Sequence, residues 1–203
     1  MKRKLLLIFI LILGIVIFNK YDIKAQNEDD ISIYFTNTNY ELLNKEISKN
    51  LEIYINDFKN EITDINKTYT LNIRHDTYEY QNYISYVFYM EYYVGGAHPN
   101  HKIWTINYDK VNNKIINIDD LEEKYPNILN ILSKISREKL LHTKNIVDTN
   151  MMLEGSKPIK ENFANFAFSK DGLILFFNYY QVAPYSSGEF KIVIPYDEIK
   201  NIL

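Results

Sequence analysis

The stretch Tyr83–Asp109, YISYVFYMEYYVGGAHPNHKIWTINYD, decides the architecture. From Tyr83 to Val94 the side chains Ile84, Tyr86, Phe88, Met90, Tyr92 and Val94 recur at every second position, the period of a strand with one face on a core. Trp104, Ile106 and Tyr108 repeat that alternation, so a second strand returns after Gly95, Gly96 and Pro99. The two glycines permit backbone angles closed to other residues and Pro99 fixes another, which makes the segment first of all a turn. Upstream, Tyr69, Leu71, Ile73 and His75 share one strand face, and His75 is expected as a partly buried strand residue. Downstream, Asn112-Asn113 turns the chain into Lys114–Ile118. The result is an antiparallel meander.

Helical periods flank it. Tyr40, Leu43, Ile47, Leu51, Tyr54 and Phe58 step by three and four and form one buried stripe, with Thr38 and Glu41 at capping-box spacing. The opposite face, with Lys45, Lys49, Glu52 and Lys59, is a solvated one. A second helix is expected from the capping-box spacing of Asp119 and Glu122, with Pro126 in its first turn and Ile128, Ile131, Leu132 and Ile135 as its stripe. Glu154–Pro158 has the composition of a surface loop. Strands follow at Phe163–Phe168 and Leu173–Phe177, joined by a Ser169–Gly172 turn, and then at Phe190, Ile192 and Ile194, ending at Pro195. The fold class is α+β, with antiparallel sheets packed against two long helices.

The N-terminus places three cations, Lys2, Arg3 and Lys4, before an apolar run from Leu5 to Phe18. That order is the charged and apolar part of a secretory signal. As a helix the run spans about 21 Å at ~1.5 Å per residue, short of a ~30 Å hydrocarbon core. Residues 1–25 are expected to be a signal peptide cut after Ala25 or an uncleaved membrane anchor, and either form places the rest of the chain outside the cytoplasm. The 203 residues include no cysteine, which removes disulfides, thiolate metal clusters and a cysteine nucleophile. A formal net charge of −3 argues against a general nucleic-acid binder.

Chemistry has few footholds. His98 and His101 offer two imidazoles from one turn, but a zinc site wants three or four ligands, and His75, His142, Asp76 and Glu91 stand at no recognisable ligand spacing. A turn, a partner-binding loop and a metal or catalytic loop all stay open for this segment. Tyr179, Tyr180 and Tyr185 flank Gln181–Pro184, where they either present aromatic rings to a sugar or protein or cover the sheet edge, while Pro184 and Gly188 shape the return. Ser186 and Ser187 do not form a nucleophile elbow, and no phosphate loop, dinucleotide fingerprint or zinc-protease helix occurs. The carboxylates Asp119, Asp120, Glu122 and Glu123 are accounted for by a helix start. No catalytic residue, metal or cofactor is assigned.

Two segments, YYVGGAHPN at Tyr92–Asn100 with its following Trp104 strand, and DGLILFFNYYQVAPYSSGEFKIVIPYDEI at Asp171–Ile199, together resemble a family of unknown function. It is found outside the membrane in the lysozyme-sensing anti-sigma-V factor and in peptidoglycan deacetylases of Gram-positive bacteria. The resemblance covers Tyr83–Leu203, and Ile31–Arg74 is similar to the smaller domain that precedes it in that family. It implies a signal or anchor at 1–25, a small α+β partner domain at 26–80 and the family domain at 81–203. It also implies a non-enzymatic binding or sensing module of the cell envelope, secreted or held to the membrane through residues 5–18. Lysozyme, another extracellular protein or peptidoglycan is the implied partner. With Met1–Lys4 alone before the apolar run and no room for a catalytic domain after Ile199, neither sigma-factor signalling nor deacetylation is expected. The alternative is an envelope-associated metal-dependent hydrolase using the His98/His101 loop.

Overall fold

The structure is a computed structural model that describes residues 29–35, 37–63, 69–143, 146 and 148–199. The apolar run 5–18 and the cut expected after Ala25 lie outside the described residues. Among the described residues, no helix is long and apolar enough to cross a membrane. In chain order come β1 (Asp29–Ile33), α1 (Glu41–Glu61), β2 (Tyr69–Tyr80), β3 (Tyr83–Tyr93), β4 (Asn100–Asp109) and β5 (Lys114–Ile116). Then follow α2 (Ile118–Lys124), α3 (Ile128–Leu141), α4 (Thr149–Gly155), β6 (Phe166–Ser169), β7 (Gly172–Phe177), β8 (Phe190–Ile194) and α5 (Tyr196–Ile199). Strands β1 to β5 form one sheet in sequence order, and β6, β7 and β8 form another.

The α+β class is as expected, and the meander is antiparallel throughout β2–β5. β1 departs from it by pairing with β2 in parallel, because the chain between them crosses over through α1. β2 and β3 pair without interruption from Thr70 opposite Tyr93 to Tyr80 opposite Tyr83. The sequence-based division at residues 80 and 81 falls at the turn between these two strands.

One face of this sheet carries the expected alternation. Leu43, Ile47 and Phe58 of α1 are fully buried against a cluster that includes Tyr69, Leu71, Ile73, Phe88 and Trp104. Phe88 and Trp104 stack with ring centroids 4.9 Å apart, and Tyr54 of α1 closes on Trp104 at 4.3 Å. Each such large apolar side chain contributes roughly 1.5–3 kcal/mol on burial. The helix start differs from the expected capping box. Thr38 lies outside the helix, where its main-chain N–H and hydroxyl both donate to the Asn44 carboxamide oxygen at 2.8 and 2.9 Å. The N-cap is Tyr40, with no side-chain cap.

On the other face Ser85, Val87, Ile103 and Asn107 are buried as well. The second sheet covers it, with β6 lying across β2, β3 and β4. Val87 and Ile103 meet Ala167, Ile174 and Phe176 in an apolar layer. The polar side chains beneath β6 satisfy its outward backbone. The Phe168 N–H donates to Ser85 Oγ at 2.9 Å, the Phe166 N–H to Thr105 Oγ1 at 3.1 Å, and Asn107 Nδ2 to the Phe166 carbonyl at 3.0 Å. A buried strand edge would otherwise leave these groups unpaired.

The second core lies between β6–β8 and the helices α2, α3 and α4. The expected single helix is two here. Tyr125, which precedes Pro126, has φ −134° and ψ 81°, since a residue before proline is pushed out of the helical region. The first of the two is capped by Asn117 and Asp120 in a reciprocal box, not by Asp119 and Glu122. Ile128, Leu132 and Ile135 form the buried stripe of α3, with Ile131 half-buried. The expected loop at Glu154–Pro158 is also corrected. α4 runs to Gly155, and both Gly155 and Ser156 are buried, Ser156 donating its hydroxyl to the Met152 carbonyl and receiving the Arg137 Nε–H.

His75 is a half-buried strand residue within contact of Phe35, Tyr86 and Phe88. Burial pushes its imidazole below the ordinary value, against the opposing pull of Asp76. The folded state thus binds this proton less tightly than the unfolded chain. Its contribution to stability is complete above about pH 6.5 and is lost as pH falls from there toward the folded value. Thermal melts at about pH 7 and about pH 5 check this. The Tm of the parent should drop further between them than that of His75→Phe, which has no proton to gain.

Candidate functional site

The sequence places His98 and His101 some eighty positions from Tyr179, Tyr180 and Tyr185, and the fold brings all five side chains together. Val94–Pro99 links β3 to β4, and Asn178–Glu189 links β7 to β8. The two loops meet because Asn178 clamps them. Its carboxamide accepts the Ile103 N–H at 2.6 Å and donates to the Ile103 carbonyl at 3.2 Å. Ile103 lies on the edge of β4 beyond the reach of β5, which pairs only with Asn107–Asp109. The side chain completes that edge as a neighbouring strand would.

The rings then stack in two pairs. His98 lies on Tyr185 with centroids 3.8 Å apart and planes 20° apart, and His101 lies on Tyr179 at 4.3 Å and 12°. Tyr179 and Tyr180 approach Tyr185 at 5.1 and 5.6 Å. The Tyr185 hydroxyl donates to the Pro99 carbonyl at 2.8 Å, which also accepts the His98 Nδ1–H at 2.9 Å. With its one proton committed, the Tyr185 oxygen can only accept from His101 Nε2, 3.1 Å away. That places the proton of a neutral His101 on Nε2 and leaves Nδ1 facing Glu91 Oε2 at 3.7 Å.

Beside these rings an open groove of about 490 Å³ runs over the large sheet, lined by Arg74, Tyr89, Glu91, His101, Tyr179 and Glu189 among others. Arg74 lays its guanidinium over the Tyr89 ring at 4.0 Å, and the Tyr89 hydroxyl donates to Asp76 at 3.2 Å. Burial and the neighbouring Asp76 hold the Tyr89 phenol well above its usual range. Lys102 turns away, its ammonium over the Tyr54 ring on the opposite face at 4.3 Å.

Of the expected motif residues, Gly95 and Gly188 have φ 87° and 78°, where glycine is favoured. At Gly96 a Cβ would meet nothing closer than the His98 carbonyl at 3.7 Å. Pro184 caps the short 3₁₀ turn Tyr185–Ser187 with φ −58°. Tyr180 is a tyrosine with φ 63°, 55% exposed, in the turn closed by the Gln181 N–H on the Asn178 carbonyl at 3.0 Å. This backbone conformation costs a bulky residue of order 1 kcal/mol or more and suits asparagine or glycine. Tyr180→Asn is expected to raise stability by about 1 kcal/mol in urea unfolding.

His98 spends Nδ1 on a carbonyl and both rings are stacked on tyrosines, and among the described residues no group of three His, Cys, Asp or Glu could hold a metal ion. Arg74, Tyr89 and Glu189 were missed as site residues. The signal for Arg74 and Tyr89 is the face of β2 and β3 that changes from Ser85 and Val87 beneath β6 to Asn72, Arg74, Tyr89 and Glu91 beyond it, while Glu189, just before β8, has none.

A family model described as a protein of unknown function, DUF3298, matches residues 118–197. That span takes in the tyrosine loop and not the histidine loop. The peptidoglycan-N-acetylmuramic acid deacetylase PdaC of Bacillus subtilis (strain 168) is 32% identical over 170 residues, which is 80% of this chain and 36% of the deacetylase. The chain thus spans about a third of that relative's length. The crystal structure of a DUF3298 family protein from Pseudomonas aeruginosa PAO1 has the same fold, with a TM-score of 0.65 at 16% identity over 89% of this chain and 88% of that one. A family member from Bacteroides fragilis NCTC 9343 gives a TM-score of 0.52 at 25% identity over 78% of this chain and 64% of that one. Residues 118–197 thus match the DUF3298 family model, and the chain has the fold of a solved DUF3298 family protein over most of its length.

Proposed function

We propose that this chain is a non-enzymatic, extracytoplasmic binding module of the bacterial cell envelope and that its ligand is a wall glycan lying in the groove beside Tyr179. The observation that carries the reading is the pairing of stacked aromatic rings with a ribbon of hydrogen-bonding side chains along one open channel. Flat rings offer a face to a sugar ring, while Asn72, Arg74, Glu91 and Glu189 offer partners for its polar rim. The volume falls within the roughly 300–1,000 Å³ of small-ligand sites, which suits a short run of sugar rings better than a protein face of about 800 Å². Support for the location and the ligand class comes from the relative in Bacillus subtilis, whose name assigns it to peptidoglycan. The signal-like N-terminus supports the same location.

Calorimetry on the full chain tests the reading, with the N-acetylated β-1,4-glucosamine tetramer in one series and lysozyme in another. Saturable binding of the tetramer at one site, without release of shorter sugars, is expected. Binding of lysozyme with no binding of the tetramer would replace the glycan by a protein ligand, and sugar cleavage would make the chain an enzyme.

A further inference from the structure

The groove is not uniform in charge. At its β2 end Arg74 and Asp76 sit on the ring and hydroxyl of the same Tyr89, so the two charges offset each other there. At the other end Glu91 and Glu189 lie near Tyr179 and His101, and the one cation among the neighbouring lining residues, Lys102, is directed to the far face of the sheet. Glu91 is 58% exposed at its side chain and its charged-group neighbour is the imidazole of His101 at 3.7 Å. The Tyr185 hydroxyl has already fixed the proton of a neutral His101 on Nε2. Nδ1 and Glu91 Oε2 are then two acceptors facing one another, and a donor between them is what the pair lacks. The Tyr179 phenol registers the same local field. It is raised above its ordinary value by burial first and then by Glu189, Tyr185 and Glu91.

We infer that this end of the groove selects an amino sugar carrying a free ammonium group over its N-acetylated form. The inference rests on the glycan reading above and adds the charge of the preferred sugar to it. An ammonium has three donors and no acceptor, so it satisfies His101 Nδ1 and Glu91 at once and still has an N–H for Glu189. An acetamide in the same position has one N–H, no charge, and a methyl group to place among carboxylates. The sugar ring itself lies on Tyr179, whose own far face is already held by His101 at 4.3 Å.

The test compares two β-1,4-glucosamine tetramers, fully N-acetylated and fully de-N-acetylated, titrated into the full chain at about pH 7, where an amine with an ordinary pKa near 8 is mostly charged and an imidazole with an ordinary pKa near 6.5 is mostly neutral. The amine form is expected to bind about tenfold more tightly or better, and the preference should shrink as salt rises. In the Glu91→Gln/Glu189→Gln variant the ratio should fall to about one through loss of affinity for the amine form, with an unchanged thermal melt reporting an intact fold. The single variants are expected to give intermediate ratios. Equal affinities in the parent, tighter binding of the acetylated form, or a ratio unchanged in the double variant would overturn the inference and leave the glycan reading standing. Binding of neither tetramer would overturn both.

Discussion

Gly155→Ala is expected to destabilise the fold by about 3 kcal/mol or more and to abolish ligand binding with it. A Cβ at this position would stand 1.7 Å from the Gln181 carbonyl oxygen and 2.5 Å from its carbon, with Val182 Cγ1 at 3.1 Å. The obstacle is backbone, so no side-chain rotation relieves it. Nor can the loop retreat at low cost, because Gln181 Nε2 donates to the Gly155 and Asn162 carbonyls at 3.0 Å each, and Val182 and Ala183 are buried next to it. The same loop carries Tyr179 and Tyr180, so a displaced Gln181 displaces the rings. Urea unfolding measures the loss, with Gly96→Ala as the comparison. A Cβ on Gly96 is in ordinary contact only, and that variant should unfold within about 0.5 kcal/mol of the parent.

Tyr179→Ala is expected to weaken glycan binding by about 30-fold, as truncation of a central aromatic anchor costs about 2 kcal/mol. Its ring is the one in the tyrosine loop that both lines the groove and is backed by another ring, that of His101. Stability should fall by much less, since the ring is half-buried at the surface and stacks on one neighbour. Calorimetry gives the affinity and a thermal melt gives the stability. A matched loss of both would mean that Tyr179 supports the fold and does not face the ligand. Tyr179→Phe separates the ring from its hydroxyl and should keep most of the affinity.

Periodicity makes the elements legible and leaves the layers obscure. The alternation through Ile84, Tyr86, Phe88 and Met90 identifies both a strand and its core face, and the stripe through Leu43, Ile47 and Phe58 identifies α1. The same alternation marks Ser85 and Asn107 as solvent-facing, because a small or polar residue gives no sign that a strand edge will lie on it. Their roles exist only once β6 supplies its N–H groups and carbonyls. The caps fail for a related reason. Thr38–Glu41 and Asp119–Glu122 have the right spacing, but the helix starts are set by where the apolar stripe meets its core, and at the second of these Asn117 competes successfully.

The site was half legible. GGAHPNH and NYYQVAPY stand out for their histidines and tyrosines, and the structure joins them through Asn178, whose clamp on Ile103 pairs residues 75 positions apart. Nothing local in either segment announces that contact. Arg74, Tyr89 and Glu189 become neighbours only through the registers Arg74–Tyr89 and Glu91–His101 and through the turn at Gly188. Turn glycines are read more reliably one at a time than in pairs. Gly95 needs its positive φ, and Gly96 beside it does not.

The glycan is proposed to lie in the groove over the large sheet beside His101 and Tyr179. The most direct test is the two-dimensional amide spectrum of the full chain during titration with the β-1,4-glucosamine tetramers. Progressive shifts are expected to concentrate at Arg74, Glu91, His101, Tyr179 and Gly188, with the amides of the exposed face of α1 unmoved. Shifts centred on α1 or on the α2–α3 surface, with the groove silent, would contradict this placement of the glycan.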